Sequence, residues 1–128
     1  MERITPEQLK EEFGGRGVAF PTVVDLIRVD PETDTVVLLM VEDRDWSHGE
    51  PQLRQLQEKI DRYLGYVADG FFLEQYPQYA GKAVRFELDC AVPPHGLAKD
   101  MLMAAEVVLE RYDIPFKVRV VGGLVRPE

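Results

Sequence analysis

Two apolar runs separated by five polar residues dominate the pattern of this chain. Residues 23–29 read Val-Val-Asp-Leu-Ile-Arg-Val and residues 35–41 read Thr-Val-Val-Leu-Leu-Met-Val, with Asp30-Pro31-Glu32-Thr33-Asp34 between them. Proline presets φ at the second position of a type I turn, and an aspartate before it can accept from the amide two residues on. The pattern predicts a β-hairpin. Its strands differ, because the first carries Asp25 and Arg28 and follows Pro21, as suits a sheet edge. The second is apolar at both alternating sets of positions, so it is expected to be central and covered on both faces.

The period then changes from two to 3.6. From Pro51 onward, Leu53, Leu56, Ile60, Tyr63, Leu64, Val67 and Phe71 recur at spacings of three and four, which predicts an amphipathic helix. Gln52, Gln55, Glu58, Lys59, Asp61 and Arg62 are assigned to its solvated face, with Glu58 and Arg62 as an i,i+4 pair. Gly70 ends this helix or loosens it before a last turn near Tyr76, and Pro77 stops it. Residues 84–90 alternate again, with Val84, Phe86, Leu88 and Cys90 buried and Arg85, Glu87 and Asp89 wet. A second helix follows Gly96, with Leu97, Met101, Ala104, Ala105, Val108 and Tyr112 as its apolar stripe. A last strand runs from Phe116 to Val121, and its Lys117 and Arg119 match the outward charges of the strand before, which predicts that the two are neighbours. At the start of the chain, Thr5-Pro6-Glu7-Gln8 is a capping box for a short helix from Pro6 to Phe13, ended by the glycines at 14–17.

The element order α-β-β-α-β-α-β, with right-handed crossovers, predicts a two-layer α+β sandwich. Its mixed four-stranded sheet carries both large helices on one face. A single domain over 1–128 is expected, with residues 1–17 as helix and glycine-rich turn and 18–121 as the core. The outer face of strand 35–42 needs cover in this arrangement, either from the N-terminal helix through Leu9 and Phe13 or from a second subunit. A homodimer or a protein partner is the corresponding expectation.

Composition narrows the classes. The formal net charge of −8 repels phosphate backbones, and the arginines are interleaved with acids, so no nucleic-acid partner is expected. No run is long and apolar enough to span a bilayer, and the N-terminus has no secretory apolar region, so the expectation is a cytoplasmic protein without a membrane partner. The single cysteine, Cys90, excludes an internal disulfide. No cofactor is indicated.

The phrases Val23-Val24-Asp25-Leu26-Ile27, Asp30-Pro31-Glu32-Thr33, Gln55-Leu56-Gln57-Glu58-Lys59-Ile60, Tyr63-Leu64, Asp69-Gly70, Tyr76-Pro77 and Gly81-Lys82 carry a resemblance. Over about residues 22–120 the chain resembles a group of small uncharacterised bacterial proteins, a domain of unknown function. The resemblance implies no activity and no site residue.

One constellation bears on chemistry. Ligands in parallel sheets bind beyond the carboxyl ends of the strands, where the loops after residues 42 and 90 are expected to meet. These loops bring Asp43, Asp45 and His48 together with His95, residue types that suit a divalent metal or acid-base work. Their spacing matches no established metal motif. The competing reading makes Asp43 and Asp45 solvated loop acids, Ser47 a helix cap, His48 an exposed residue and His95 the start of the second helix. The function expected is a non-catalytic binding or interaction module. The alternative is a small metal-dependent enzyme using Asp43, Asp45, His48 and His95.

Overall fold

The computed structural model describes residues 17–19 and 24–121, so the expected helix over 6–13 and the turn at 14–16 lie outside the described residues. Strands β1 (Leu26–Asp30), β2 (Thr35–Glu42), β3 (Val84–Cys90) and β4 (Phe116–Val120) form one sheet in that spatial order. β1 runs antiparallel to β2, while β2, β3 and β4 are parallel. Helix α1 (Gly49–Ala68) leads from β2 toward β3, followed by the short helix α2 (Phe71–Gln75) and a 3-10 turn at Pro77–Tyr79. Helix α3 (Gly96–Glu110) joins β3 to β4. Leu56, Ile60 and Tyr63 of α1 share one core with Leu102, Ala105 and Leu109 of α3, against Val36, Leu38, Met40, Phe86, Leu88 and Phe116 of the sheet. Both large helices therefore cover the same face. This is the expected α+β sandwich.

Local chemistry places the elements. The Glu32 amide donates to Asp30 Oδ1 at 3.0 Å, closing the hairpin turn as its sequence predicts. Asp34 completes the turn at φ +52°, a left-handed conformation that aspartate tolerates. Gly70, at φ +88°, separates α1 from α2, since a side chain there would strain the backbone.

The outer face of the sheet departs from expectation. Arg28 on β1 and Arg85 on β3 stand in register on either side of Val37 on β2. Arg28 reaches across to Glu87 at 3.1 Å, and Arg85 reaches back to Asp30 at 3.0 Å. Each pair joins strands two spacings apart, roughly 10 Å, so both side chains lie over β2 with their hydrocarbon stems inward. Val37 is 0% exposed within the single chain. The apolar face that called for a second subunit is thus already out of solvent. Arg119 adds bonds to Asp89 at 2.9 Å, and Glu87 is buried among arginines, so the charged face of β3 is not wet.

Two helix faces also differ from the sequence reading. Gln52 and Lys59, assigned to solvent, are buried on α1. On α3 the buried stripe is Ala98, Leu102, Ala105 and Leu109. Of the stripe expected from sequence, Ala105 is buried and Met101 packs against the core, but Leu97 is 72% exposed and Val108 and Tyr112 are also exposed.

Candidate interaction surface

At the carboxyl ends of the parallel strands the two loops do meet. Trp46 donates from Nε1 to the Val92 carbonyl at 2.8 Å, tying the segment after β2 to the segment after β3. Gln52 donates to the Asp45 carbonyl at 2.8 Å and accepts from the His48 amide at 3.2 Å, so a buried glutamine holds the first loop on α1. Asp45 accepts from both the amide and the hydroxyl of Ser47, which hold its carboxyl below the usual range, and His48 Nε2 lies 3.4 Å from it. Ser47 serves the loop and does not cap the helix; the N-cap is His48, without a side-chain capping bond. Glu42 is buried and gripped through both oxygens by Arg44, each contact at 2.8 Å. Asp43 is half-buried, and His95 is the exposed N-cap of α3.

Among the described residues, no three His, Cys, Asp or Glu side chains gather where a metal ion would bind. Both crossovers advance in the same direction with their helices on one face, so the sheet has no topological switch point. That is the feature which opens a ligand crevice in parallel sheets.

A second polar cluster is closed as tightly. Lys59 Nζ donates to Asp25 Oδ1 and to the Gly17 carbonyl, both at 2.7 Å. Asp25 also accepts from the Gly17 amide at 2.8 Å and the Val41 amide at 2.9 Å. The Asp25 amide donates to Tyr63 Oη at 2.8 Å, and the Tyr63 hydroxyl donates to the Leu39 carbonyl at 2.7 Å. Burial, with the nearby Asp25 charge, raises the Tyr63 phenol well above its ordinary value and keeps it protonated. Gly17 is required here: it sits at φ +104°, and a Cβ would lie 3.2 Å from the Val41 carbonyl oxygen. This clasp joins the entry to β1, the end of β2 and α1. Sequence reasoning missed Lys59, although it stands with Gln52, Leu56 and Tyr63 at spacings of four, three and four, a readable stripe. Cys90 is buried as expected, and burial, with Glu42 and Asp89 nearby, pushes its thiol up to about 12, which removes it as a nucleophile.

The unmatched surface lies elsewhere. Among the described residues ten large hydrophobic side chains are exposed, and seven of them belong to α3, the turn after it and β4: Leu97, Met103, Val107, Val108, Tyr112, Val118 and Val120. Val118 and Val120 pair in register with Leu88 and Cys90, so they point to the helix side of the sheet. They lie beyond the cover that α3 gives to Phe116. A cleft of about 490 Å³ opens at the same edge, between Glu106 and Glu110 of α3 and Phe116 and Lys117 of β4.

A family model matches residues 17–122. The chain belongs to DUF6572, a family of unknown function. The DUF6572 match begins at Gly17, the residue held by Asp25 and Lys59, and ends just past β4, so it spans the described unit from clasp to edge strand. It also includes the stretch whose resemblance was read from sequence. Comparison with curated proteins found no match, and comparison with solved structures found none. No helix of the described residues is long and apolar enough to cross a membrane.

Proposed function

We propose that this protein is a non-catalytic interaction module that holds a protein partner through the face formed by α3 and β4. The carrying observation is that seven of the ten exposed large hydrophobic side chains among the described residues belong to α3, the turn after it and β4, with Val118 and Val120 together on the helix side of the sheet edge. The polar clusters elsewhere support the same reading. Asp25, Lys59, Glu42 and Gln52 are spent on closing the fold, whereas an enzyme site directs such groups into a cleft toward substrate. The net charge of −8 argues against a nucleic-acid partner, and the single buried thiol suits a cytoplasmic setting.

Native mass spectrometry of untagged protein from its own host tests this. The expected spectrum contains a stoichiometric complex with a second polypeptide, either another protein or another copy, that disappears when Val118 and Val120 are both changed to aspartate. A bare monomer refutes the proposal. The metal-dependent reading has one observation in its favour, the Trp46–Val92 bond that draws together the loops carrying Asp43, Asp45, His48 and His95. A stoichiometric metal adduct lost on changing both histidines to alanine would put that reading in its place.

A further inference from the structure

The outer edge of β4 has three properties that together specify an occupant. The first is hydrogen bonding. The Val121 amide donates to Cys90 and the Pro115 carbonyl accepts from Phe86, so odd-numbered residues face β3. Backbone groups alternate sides along a strand, and Phe116, Val118 and Val120 therefore turn their N–H and C=O outward, where no described strand pairs with them. The second is apolar surface: the side chains of Val118 and Val120 are exposed on the helix side of that same edge.

The third is charge. On the opposite side of the edge stand Lys117, which has no ion-pair partner among the described residues, and Arg119, whose side chain is 47% exposed despite its bonds to β3. On the helix side, Glu106 and Glu110 flank the cleft. An added strand thus meets cations on one of its faces, and apolar groups backed by carboxylates on the other. A second copy pairing through β4 is disfavoured, because each antiparallel register that pairs Val118 with Phe116, Val118 or Val120 of the other copy sets Lys117 or Arg119 against Lys117 or Arg119. Like charges directly opposite are destabilising.

Resting on the interaction-module reading, we infer that β4 is a strand-addition site for an extended segment that alternates acidic with apolar residues. The acids face Lys117 and Arg119, and the apolar residues lie over Val118 and Val120. Main-chain bonds supply affinity in this mode and the alternating side chains supply selectivity. The overall negative charge opposes the approach of an acidic segment only weakly at physiological salt, where the screening length is about 8 Å.

The test uses the full chain, labelled with ¹⁵N, and two nine-residue probe peptides, one alternating valine with glutamate and the other valine with lysine. The glutamate peptide is expected to slow amide exchange at Phe116, Val118 and Val120 by tenfold or more while leaving Lys117 and Arg119 unchanged. It should bind at least tenfold tighter than the lysine peptide. Lys117→Gln, at an exposed position without an ion-pair partner among the described residues, should weaken it several-fold without altering exchange in β2 and β3. No binding, equal binding of both peptides, or protection elsewhere overturns the inference. Protection of the three amides in the free monomer also overturns it, since the chain then fills its own edge. Concentration-dependent protection without peptide overturns it in favour of a second copy. If the complex seen by mass spectrometry still depends on Val118 and Val120 while these amides stay unprotected, strand addition fails and the interaction module stands; if no complex forms, both fail.

Discussion

Changing Lys59 to methionine probes the clasp most directly. Methionine preserves most of the volume of the stem and removes the ammonium, so the packing against Tyr63 is kept while Asp25 loses its counter-charge. Lys59 is 0% exposed, and its Nζ lies 2.7 Å from Asp25. Removing one member of a buried pair typically costs about 3–5 kcal/mol, because the other charge stays buried without compensation. The Asp25 carboxylate would keep its two amide donors, Gly17 and Val41, which sets the expectation near the middle of that range. With a urea m-value of about 1.5 kcal/mol/M, the midpoint should fall by roughly 2–3 M. Trp46, the only tryptophan, reports the transition by fluorescence. A double-mutant cycle with Asp25→Ala supplies the decisive number, since residues sharing one network couple by about 0.5–3 kcal/mol. The double variant should be more stable than the sum of the single losses predicts. A midpoint shift under about 0.5 M, or additivity within about 0.5 kcal/mol, would show that the pair does not hold the fold together.

Tyr63→Phe keeps the edge-to-face contact with Phe86 but leaves the Asp25 amide and the Leu39 carbonyl without their partner, so a loss of about 1–3 kcal/mol is expected in the same assay. Cys90 has its pKa raised from 9.0 to about 12 in the folded chain, so its contribution is intact below pH 9 and is lost as pH rises from there toward 12. Cys90→Val should flatten that alkaline part of the stability profile, and the native thiol should resist a thiol reagent at pH 8 until the chain is unfolded. The Asp30 carboxyl is held below its ordinary value, first by Arg85 and then by the Glu32 amide. Its contribution is therefore present above about pH 4 and lost as pH falls through the folded value, and Arg85→Met should move the Asp30 titration upward when followed by NMR.

How far the fold could be read from sequence depended on whether a residue's position follows from local period. The hairpin turn declared itself through Asp30-Pro31, and β3 and β4 were matched as neighbours by their charges, as the Arg119–Asp89 bonds bear out. Polarity misled where burial is made possible by a distant partner. Lys59 was placed in solvent because its partners, Gly17 and Asp25, stand 42 and 34 residues away. Arg85, Glu87 and Asp89 were placed in water because nothing local reveals that Arg28 will cross β2. On α3 the stripe through Leu97, Val108 and Tyr112 was expected to face the core, but the sheet takes Ala98, Leu102, Ala105 and Leu109. That error hid the surface on which the functional proposal rests. For the candidate site, sequence topology brought the loops of His48 and His95 to one edge, as the Trp46–Val92 bond shows, whereas the lack of a topological switch point followed only from both crossovers advancing the same way.

The strands lie in the sheet in their order along the chain. A sheet built this way can come apart from one end like a row of planks, since among the described residues β4 is fastened along a single side. Opening β4 breaks only its ladder to β3 and the seat of α3, and leaves the clasp of Asp25, Lys59 and Tyr63 closed. Sub-global opening of this kind has a lower free energy than unfolding the whole domain. β1 is an edge as well, but the clasp ties its entry to α1, so β4 is the edge expected to open first, and a guest bound along it would also stabilise α3. Occupancy at one margin would then be felt across a whole helix, while the hairpin at the far side stayed as it was.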